Sequence, residues 1–254
     1  MAGILFIISA PSGSGKSTLV NALRSQVGGI DFSISWTTRQ PRGSEQTGRE
    51  YHFTTREEFE RMRDAGEFLE YAEVFGNYYG TARRSLDEAT AAGRDLLLDI
   101  DVQGARQVRE KVTDAVTIFV MPPNPKVLRT RLRNRSRAEG HVDETVLHRR
   151  LNEASKEIEN YQQYRYILVN DVLERAVAQL EAIVVVERMR RDGKPLDIRT
   201  KRDFEIAESC REVNSRVRLQ PVLESFGIFP DHHPQQYSLL EAKDDDGTDR
   251  KSAD

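Results

Sequence analysis

Residues 9–18 read SAPSGSGKST, a pattern that is compatible with very few architectures. An apolar run over residues 3–8 precedes it and predicts a buried strand, while Leu19, Leu23 and Val27 follow at helical spacing. A strand, a glycine-rich turn and a helix in this order are typical of a loop that binds the phosphate tail of a nucleotide. The alternative is a glycine-rich turn capped by serine, and the flanking elements make it the weaker interpretation.

The residue types in this loop match the chemistry of phosphate binding. Gly13 and Gly15 let the backbone turn so that successive N–H groups point inward, beside the positive end of the helix. Lys16 is expected to contact the outer phosphates, and the Ser17 hydroxyl to bind Mg²⁺. The usual pattern begins with glycine, and Ala10 stands there instead. The predicted nucleotide-binding residues are Ala10, Pro11, Ser12, Gly13, Ser14, Gly15, Lys16, Ser17 and Thr18.

Composition narrows the class of protein. A chain of 254 residues is long enough for one α/β domain and an appendage. Its formal net charge of −3 argues against a general nucleic-acid-binding protein, which would be basic. The single cysteine, Cys210, excludes an internal disulfide and fits a reducing compartment. The sequence has neither an apolar run of membrane-spanning length nor a signal-peptide pattern, so we expect a cytoplasmic protein without a membrane or nucleic-acid partner.

Helical patterns separate short apolar runs along the chain, which predicts an α/β fold with a parallel sheet flanked by helices. Residues 36–82 interrupt this alternation and predict a small inserted subdomain that is partly β. Residues 124–163 are highly charged and helical, and predict a mobile flap. A helix over residues 173–190 is expected to close the domain. The apolar runs are residues 3–9, 95–100, 116–121 and 166–169.

The chain changes character after residue 192, and residues 193–254 form a C-terminal extension in this interpretation. A short docking segment is predicted over residues 221–229, and the last dozen residues are acidic and predicted to be disordered. The extension docks on the domain, pairs subunits or has no specific role, and the oligomeric state stays open. One amphipathic helix is predicted from Phe204, Ala207, Cys210, Val213 and Val217.

A second phosphate site is predicted inside the inserted segment. Arg39 and Arg42 lie three residues apart on a turn, and their forked, permanently charged side chains suit a dianionic phosphate monoester. Tyr51 and Tyr79 would add hydroxyl donors. Taken singly, each is explained by a solvated loop arginine or an ordinary buried tyrosine. Their clustering within one segment favours a phosphate site.

Several strings of residues resemble those of the guanylate kinases, a family of the nucleoside monophosphate kinase group. They follow the family order across residues 3 to about 190, and the family tolerates an alanine at position 10. The resemblance implies a P-loop kinase fold over residues 1–192, with a GMP-binding segment at 36–82 and a helical lid at 124–163. The matching strings are Ser9–Thr18, Ser33–Arg42 (SISWTTRQPR), Phe68–Ala72 (FLEYA), Val74–Thr81 (VFGNYYGT), Leu98–Gly104 (LDIDVQG) and Val169–Asp171 (VND).

The resemblance also implies a reaction and roles for residues. It implies transfer of the terminal phosphoryl group of ATP to GMP or dGMP, with Mg²⁺ as cofactor. The residues implied to hold the GMP phosphate are Ser35, Arg39, Arg42, Tyr51 and Tyr79. Those implied to recognise guanine are Glu70, Thr81 and Asp101. Asp99 would orient the water shell of Mg²⁺, and Asn170 would contact the adenine side. The implied catalytic residues are Lys16, Arg39, Arg131, Arg135 and Arg150.

Elementary chemistry supports a carboxylate as the group that selects guanine. Guanine presents two adjacent donors, N1–H and the 2-amino group, and the Glu70 carboxylate accepts only. Adenine has a lone pair at N1, so it would repel Glu70 and leave it unpaired. Sites built to hydrogen-bond one substrate reject an analogue by roughly 10⁴- to 10⁵-fold. The alternative is a partly exposed strand carboxylate.

Asp99 and Asp101 end an apolar strand, at the edge where open α/β sheets bind ligands. For Asp101 the alternative is a purely local role as the N-cap of the helix that begins at Val102. The two roles are left open at this point.

The lid arginines divide by helical spacing. Arg131 and Arg135 are four residues apart and share one face. The spacing from Arg135 to Arg150 is longer than in the family, and Ser136 replaces its usual glycine. Arg150 is chosen over its neighbour Arg149 because it directly precedes Leu151. The arginines assigned to a solvated surface are Arg129, Arg133 and Arg137.

The acceptor of such a kinase is already a phosphate dianion, so no strong general base is required. Loop or surface positions are accordingly expected for His52, His141, His148, His232 and His233. Two rival functions stay open: a scaffold that binds phosphopeptides, and a kinase of the same fold that acts on another phosphorylated acceptor. The first would be expected to lack Lys16 and Ser17, and the second to lack the strings around Glu70 and Thr81.

Overall fold

The computed structural model describes residues 3–229 except 139–142, 196 and 199. The strands are β1 (Leu5–Ser9), β2 (Ile30–Phe32), β3 (Trp36–Thr37), β4 (His52–Phe53), β5 (Phe68–Val74), β6 (Asn77–Ala82), β7 (Asp95–Asp99), β8 (Val116–Met121) and β9 (Tyr166–Val169). The α-helices are α1 (Lys16–Gln26), α2 (Arg56–Asp64), α3 (Arg83–Ala91), α4 (Val102–Lys111), α5 (Pro125–Ala138), α6 (Glu144–Ile158), α7 (Leu173–Arg191), α8 (Lys201–Cys210) and α9 (Arg216–Ser225). Short 3₁₀ helices occupy Glu159–Gln163 and Glu212–Asn214.

The central sheet is parallel and has the order β2-β7-β1-β8-β9. Every residue of β1 and β8 is buried, as expected for strands covered by helices on both faces. The four predicted strands and the α/β fold are confirmed. The edge strand β2 was not predicted, because three residues are too few to give a periodic signal.

The core lies in two layers, one on each face of this sheet. Successive side chains of β1 point to opposite faces. Phe6 and Ile8 pack in the layer that α1, α7 and α8 cover, while Leu5 and Ile7 pack in the layer that α4 and α9 cover. The loop after β1 therefore emerges at the centre of the carboxyl edge of the sheet, where ligands bind in such folds.

The inserted segment forms a second sheet with the order β4-β3-β6-β5. β3 and β4 are parallel, and the other pairs are antiparallel. Phe59 of α2 stacks on Phe68 at 4.4 Å between ring centroids, and Met62 completes this small core. The partly β character of the insert is thereby confirmed, and its bounds at residues 36–82 stay a prediction.

The predicted flap consists of α5 and α6, so its helical character is confirmed. Leu128, Leu132, Leu147 and Ala154 form its own buried cluster. Its mobility stays a prediction. Gly140 and His141, the residues at the longer spacing, lie outside the described residues.

The prediction of one helix through Val213 and Val217 is wrong. Helix α8 ends at Cys210, a 3₁₀ turn follows, and α9 begins at Arg216. Ala207 and Cys210 are buried, whereas Val213 and Val217 are 73% and 85% exposed. The physical reason is the buried Ser215, whose hydroxyl donates to the Arg211 carbonyl at 2.6 Å and turns the chain.

This turn brings the extension along the free edge of β9. The Glu212 N–H donates to the Arg165 carbonyl at 2.9 Å, and Arg218 donates to the Ile167 carbonyl at 2.9 Å. Leu219 of α9 is buried in the core layer below. Covering an edge in this way satisfies backbone groups that would otherwise pair with another chain. The described part of the extension thus docks on the domain, as one of the three alternatives expected.

The boundary at residue 192 stays a prediction, and the acidic residues 244–249 lie outside the described residues. Cys210, the single cysteine, is buried and free in the described structure. None of the described helices combines the length and apolar composition that a membrane-crossing helix needs.

Candidate active site

A cleft of about 1040 Å³ opens between the glycine-rich loop, the inserted sheet and the lid helices. Its volume is at the upper end of the range for small-molecule pockets. Arg39 and Thr81 are buried and do not line the cleft, whereas the structure brings the other predicted site residues to its wall. These are residues 10–18, Ser35, Arg42, Tyr51, Glu70, Tyr79, Asp99, Asp101, Arg131, Arg135, Arg150 and Asn170.

The loop after β1 has the conformation that its glycines predict. Gly13 and Gly15 both have φ of +86°, a region that side chains with a Cβ rarely adopt. Gly15 is the N-cap of α1, so the positive end of this helix points into the cleft. Backbone N–H groups and a helix N-terminus together form a site suited to phosphate oxygens.

Asn170 and Arg131 meet at the back of this loop. The Asn170 side-chain amide donates to the Ser14 carbonyl at 2.8 Å, and Arg131 donates to the same carbonyl at 3.0 Å. Arg131 also donates to the Asn170 carbonyl at 2.9 Å. The two residues therefore hold the loop in addition to lining the cleft, a contact that the sequence did not indicate.

Lys16 and Asp99 contact each other at the floor of the cleft. The Lys16 Nζ lies 2.5 Å from an Asp99 carboxylate oxygen and donates to the Ile100 carbonyl at 2.7 Å. The Ser17 hydroxyl is exposed to the cleft nearby. A hydroxyl and a carboxylate are the oxygen donors that Mg²⁺ prefers. Among the described residues no group of three or more His, Cys, Asp or Glu could hold a metal ion.

Glu45, which the sequence analysis missed, contacts both arginines of the predicted phosphate site. Arg39 forms two contacts with the Glu45 carboxylate, at 2.9 Å and 3.1 Å. Glu45 also accepts the Arg42 N–H at 2.8 Å. An acidic residue three positions after Arg42 was the available signal. Its carboxylate occupies the fork of Arg39 that a phosphate would otherwise bind.

Two tyrosines stand beside Arg39. Its guanidinium lies 5.3 Å from the centroid of the Tyr51 ring, and Tyr51 meets Tyr79 edge-on at 5.9 Å. Burial raises the pKa of Tyr51 to about 12. The hydroxyl therefore stays protonated at neutral pH and is a donor for an anion.

Glu70 is a buried carboxylate, 3% exposed, at the edge of the cleft. One of its oxygens accepts the Thr81 hydroxyl at 2.6 Å. Burial raises the pKa of Glu70 to about 7, with a further rise from the negative charge of Asp101, while the Thr81 hydrogen bond opposes both. The alternative of a partly exposed strand carboxylate is excluded.

Asp101 is the N-cap of α4, one of the two roles left open by the sequence, and it also lines the cleft. Its carboxylate accepts the Gly104 N–H at 2.7 Å as the N-cap of α4. A Cβ at Gly104 would lie 2.9 Å from the Glu70 Cδ and overlap the carboxylate oxygen. Gly104 is thus a site residue that the sequence analysis missed, although a glycine inside a helix was a visible signal.

The lid arginines occupy different surroundings. Arg150 lines the cleft, whereas the side chain of Arg149 is 60% exposed. Arg150 lies over the ring of Phe75, 5.7 Å from its centroid. Arg133 pairs with Glu144 at 2.5 Å. The assignment of Arg129 and Arg137 to an exposed surface is confirmed, and Arg133 is half-exposed.

Glu157 of α6 is a further cleft residue that was not predicted. Burial raises its pKa to about 7, and the charges of Asp101 and Lys16 act on it in opposite directions. Within the described part of the chain neither histidine lines the cleft. His52 stacks on Trp36 at 4.8 Å between ring centroids, and His148 lies 3.4 Å from Arg129. His141, His232 and His233 lie outside the described residues.

The comparisons with known proteins agree on one family. The family model described as guanylate kinase matches residues 3–187. A guanylate kinase of Koribacter versatilis is 55% identical over 234 residues, which cover 92% of this chain and all of that protein. A guanylate kinase of Mesorhizobium japonicum is 47% identical over 194 residues, covering 76% of this chain and 87% of that protein. Because 92% of this chain is covered, the alignment with the Koribacter protein must extend past residue 192, so part of the extension is shared.

A solved structure leads to the same group. The crystal structure of guanylate kinase from Anaplasma phagocytophilum superposes with a TM-score of 0.62 at 35% identity. The match covers 74% of this chain and 87% of that chain.

Proposed function

Since the chain belongs to the guanylate kinase family, we propose how its cleft transfers the terminal phosphoryl group of ATP to GMP. The protein is an ATP:GMP phosphotransferase, and the reaction gives ADP and GDP. One observation carries the proposed site: the phosphate-binding loop and the buried Glu70 carboxylate line the same cleft. The part of the cleft beside the loop suits a triphosphate, and the part beside Glu70 suits a purine with two adjacent donors.

On the donor side, residues 10–18 hold the phosphates of ATP. Backbone N–H groups and the end of α1 supply most of the interaction, and Lys16 leaves Asp99 to contact the outer phosphates. Asn170 and Arg131 keep the loop in place from behind. The adenine contact of Asn170 remains part of the proposal.

Mg²⁺ is the proposed cofactor. The Ser17 hydroxyl would bind it, and Asp99 would orient its water ligands. When bound, Mg²⁺ would supply positive charge that offsets the negative charge building up during transfer.

On the acceptor side, one set of residues binds the phosphate of GMP and another selects its base. Ser35, Arg42, Tyr51 and Tyr79 face the cleft, and Arg39 would exchange Glu45 for the phosphate. Glu70 accepts both guanine donors, and Thr81 and Asp101 complete the pocket. The proposed contacts involve base and phosphate rather than the 2′-hydroxyl, so dGMP is proposed as a second acceptor.

Transfer itself depends on charge and alignment. A phosphate monoester has a second pKa of about 6, so the acceptor is mostly a dianion and needs no general base. The chain must therefore bring two anions together and stabilise the moving group. Lys16 and the lid arginines Arg131, Arg135 and Arg150 supply that charge. Closure of the lid and the inserted segment would exclude water and prevent hydrolysis of ATP.

The two rival functions are less compatible with these residues. A phosphopeptide scaffold does not require the intact Lys16 and Ser17 of this loop. A kinase for another acceptor does not require a buried carboxylate hydrogen-bonded to Thr81. A cytoplasmic location remains part of the proposal.

A panel of acceptors tests the proposal. The purified protein is assayed with ATP and Mg²⁺ against GMP, dGMP, AMP, UMP and dTMP. We expect GDP and dGDP to form, with kcat/KM for the other acceptors lower by at least about 10³-fold. Equal use of AMP would contradict the assignment of Glu70.

A further inference from the structure

Strand β5, which contains Glu70, is an edge strand with an irregular backbone. It pairs only with β6 in the described sheet. Phe68 stands opposite Ala82 and Glu70 opposite Thr81, so Leu69 is an extra residue, a β-bulge. Bulges leave the extra residue outside the ladder and redirect neighbouring side chains. The backbone on both sides of Glu70 therefore needs partners from outside the inserted sheet.

Helix α4 supplies these partners. The Lys111 Nζ donates to the Leu69 carbonyl at 2.5 Å. The Gln107 side-chain amide donates to the Tyr71 carbonyl at 2.6 Å and accepts the Tyr71 N–H at 3.3 Å. Gln107 thus makes the two bonds that a neighbouring strand would make. The residues directly before and after Glu70 are both tied to α4.

The same helix face also shapes the space around the carboxylate. Gly104, Gln107 and Lys111 are separated by three and four residues, so they lie along one face of α4. Gly104 makes room for the Glu70 carboxylate. The Leu69 side chain, 1% exposed, packs in the same core layer as Ala105 of α4. Helix α4 therefore contacts β5 through packing, backbone hydrogen bonds and the site of the carboxylate.

We propose that Gln107 and Lys111 are positioning residues for base selection, which hold the backbone of Leu69 and Tyr71 so that the Glu70 carboxylate faces the guanine donors. Neither side chain lines the cleft, so they act through Glu70 rather than by contact with the nucleotide. The proposal rests on the proposed role of Glu70. It predicts that changes at Gln107 or Lys111 weaken the binding of GMP and leave the binding of ATP unaffected.

Lys111 adds an electrostatic effect. The groups that act on Glu70 are Thr81 on β6, together with Asp101 and Lys111 at the two ends of α4. Burial and the charge of Asp101 raise the pKa of Glu70, while the Thr81 hydrogen bond and the positive charge of Lys111 lower it. Removal of the Lys111 charge is expected to raise the pKa of Glu70 and so shift the pH dependence of kcat/KM for GMP to higher pH. A purely structural role would not move it.

The test compares Gln107→Leu and Lys111→Met with a control on the same helix. Arg106→Met removes an equal charge from an exposed position of α4. We expect KM for GMP to rise about tenfold in each test variant, equivalent to about 1.4 kcal/mol. KM for ATP, and kcat at saturating GMP, should stay within about twofold of wild type. Lys111→Arg, which keeps a charged donor, should restore most of the GMP affinity.

Two results would overturn the proposal. One is a KM for GMP that changes no more than in Arg106→Met. The other is an equal loss of GMP and ATP affinity together with a lower melting temperature, which indicates general loosening. The Glu70→Gln variant separates this outcome from failure of the proposed function. If it loses selectivity for GMP while Gln107→Leu and Lys111→Met do not, only the role of α4 is refuted.

Discussion

The two halves of the cleft are built in different ways. The proposed ATP side is one continuous loop, residues 10–18, whose proposed binding groups are mainly backbone N–H groups at a helix N-terminus. The proposed guanine side joins β5, β6 and α4, with Glu70, Thr81 and Gly104 contributed by three separate elements. The first site is specified locally, and the second is specified by packing.

This difference explains how each half tolerates change. Backbone groups bind phosphate whatever side chain they carry, so Ala10 in place of the usual glycine leaves the loop intact. The guanine pocket depends on the position of one carboxylate, which is buried and hydrogen-bonded to Thr81. A change of a single atom there should affect recognition strongly.

The largest expected effect comes from Lys16→Met, on the ATP side. Removal of this charge should lower kcat by about 10³-fold or more, because it contributes to stabilising the transferring phosphoryl group. The fold should persist, since the contacts of the Lys16 side chain with Asp99 and the Ile100 carbonyl lie at the floor of the cleft. Steady-state kinetics and thermal unfolding measure the two quantities. Near-normal turnover would refute the assignment of the loop.

Glu70→Gln should have a comparable but selective effect on the other side. Glutamine places an amide donor opposite a guanine donor, so kcat/KM for GMP should fall by about 10²- to 10³-fold. KM for ATP should change little. Initial rates at varied concentrations of each nucleotide measure this difference. Unchanged selectivity over AMP would remove Glu70 from base recognition.

Single methyl groups sharpen the comparison. Gly104→Ala would place a Cβ against the Glu70 carboxylate, so KM for GMP should rise by about tenfold or more while KM for ATP is kept. Gly13→Ala, at φ of +86° and beside Leu132 of the lid, should instead weaken the binding of ATP and raise its KM. The two KM values, measured in both variants, provide the check. An effect of Gly104→Ala on both nucleotides would contradict the separation of the two halves.

The smallest expected effect is a dependence on pH. Glu70 must be ionised to accept both guanine donors, and its pKa is about 7 without the nucleotide. kcat/KM for GMP should therefore fall as pH drops below 7, by up to about tenfold per unit. Because GMP itself and Glu157 also titrate in this range, the profile is compared with that of Glu70→Gln. Identical profiles would contradict the role of Glu70 ionisation.

The same pKa has a consequence for stability. Because the folded-state pKa of Glu70 is raised, its contribution to stability is complete below its ordinary pKa and is lost as pH rises through about 7. Relative to Glu70→Gln, the wild-type protein should therefore lose stability as pH rises from about 4.5 to about 7, and should change little above that. Denaturant unfolding at several pH values measures this difference.

Sequence predicted the features that are local. The loop at residues 9–18, the buried strands and the helical lid each have a continuous signal, and the structure contains them. The family resemblance implied that Glu70 and Thr81 both recognise guanine. In the structure the Thr81 hydroxyl lies 2.6 Å from a Glu70 carboxylate oxygen.

Features that arise from packing were not predicted. The sequence signals of Glu45, an acidic residue three positions after Arg42, and of Gly104, a glycine inside a helix, do not show which residues they approach; the structure shows these to be Arg39 and Glu70. The apolar periodicity from Phe204 to Val217 predicts one helix, because periodicity does not show that the chain turns at Ser215 to follow β9. Long-range contacts of this kind leave no pattern along the chain.

The most direct measurement compares GMP, inosine monophosphate and AMP as acceptors for the wild-type protein. Inosine monophosphate keeps the N1–H donor but lacks the 2-amino group, and AMP has neither donor in these positions. If Glu70 accepts both guanine donors, kcat/KM should fall in two steps, from GMP to inosine monophosphate and again to AMP. Equal values for GMP and AMP would contradict recognition of the base by this carboxylate.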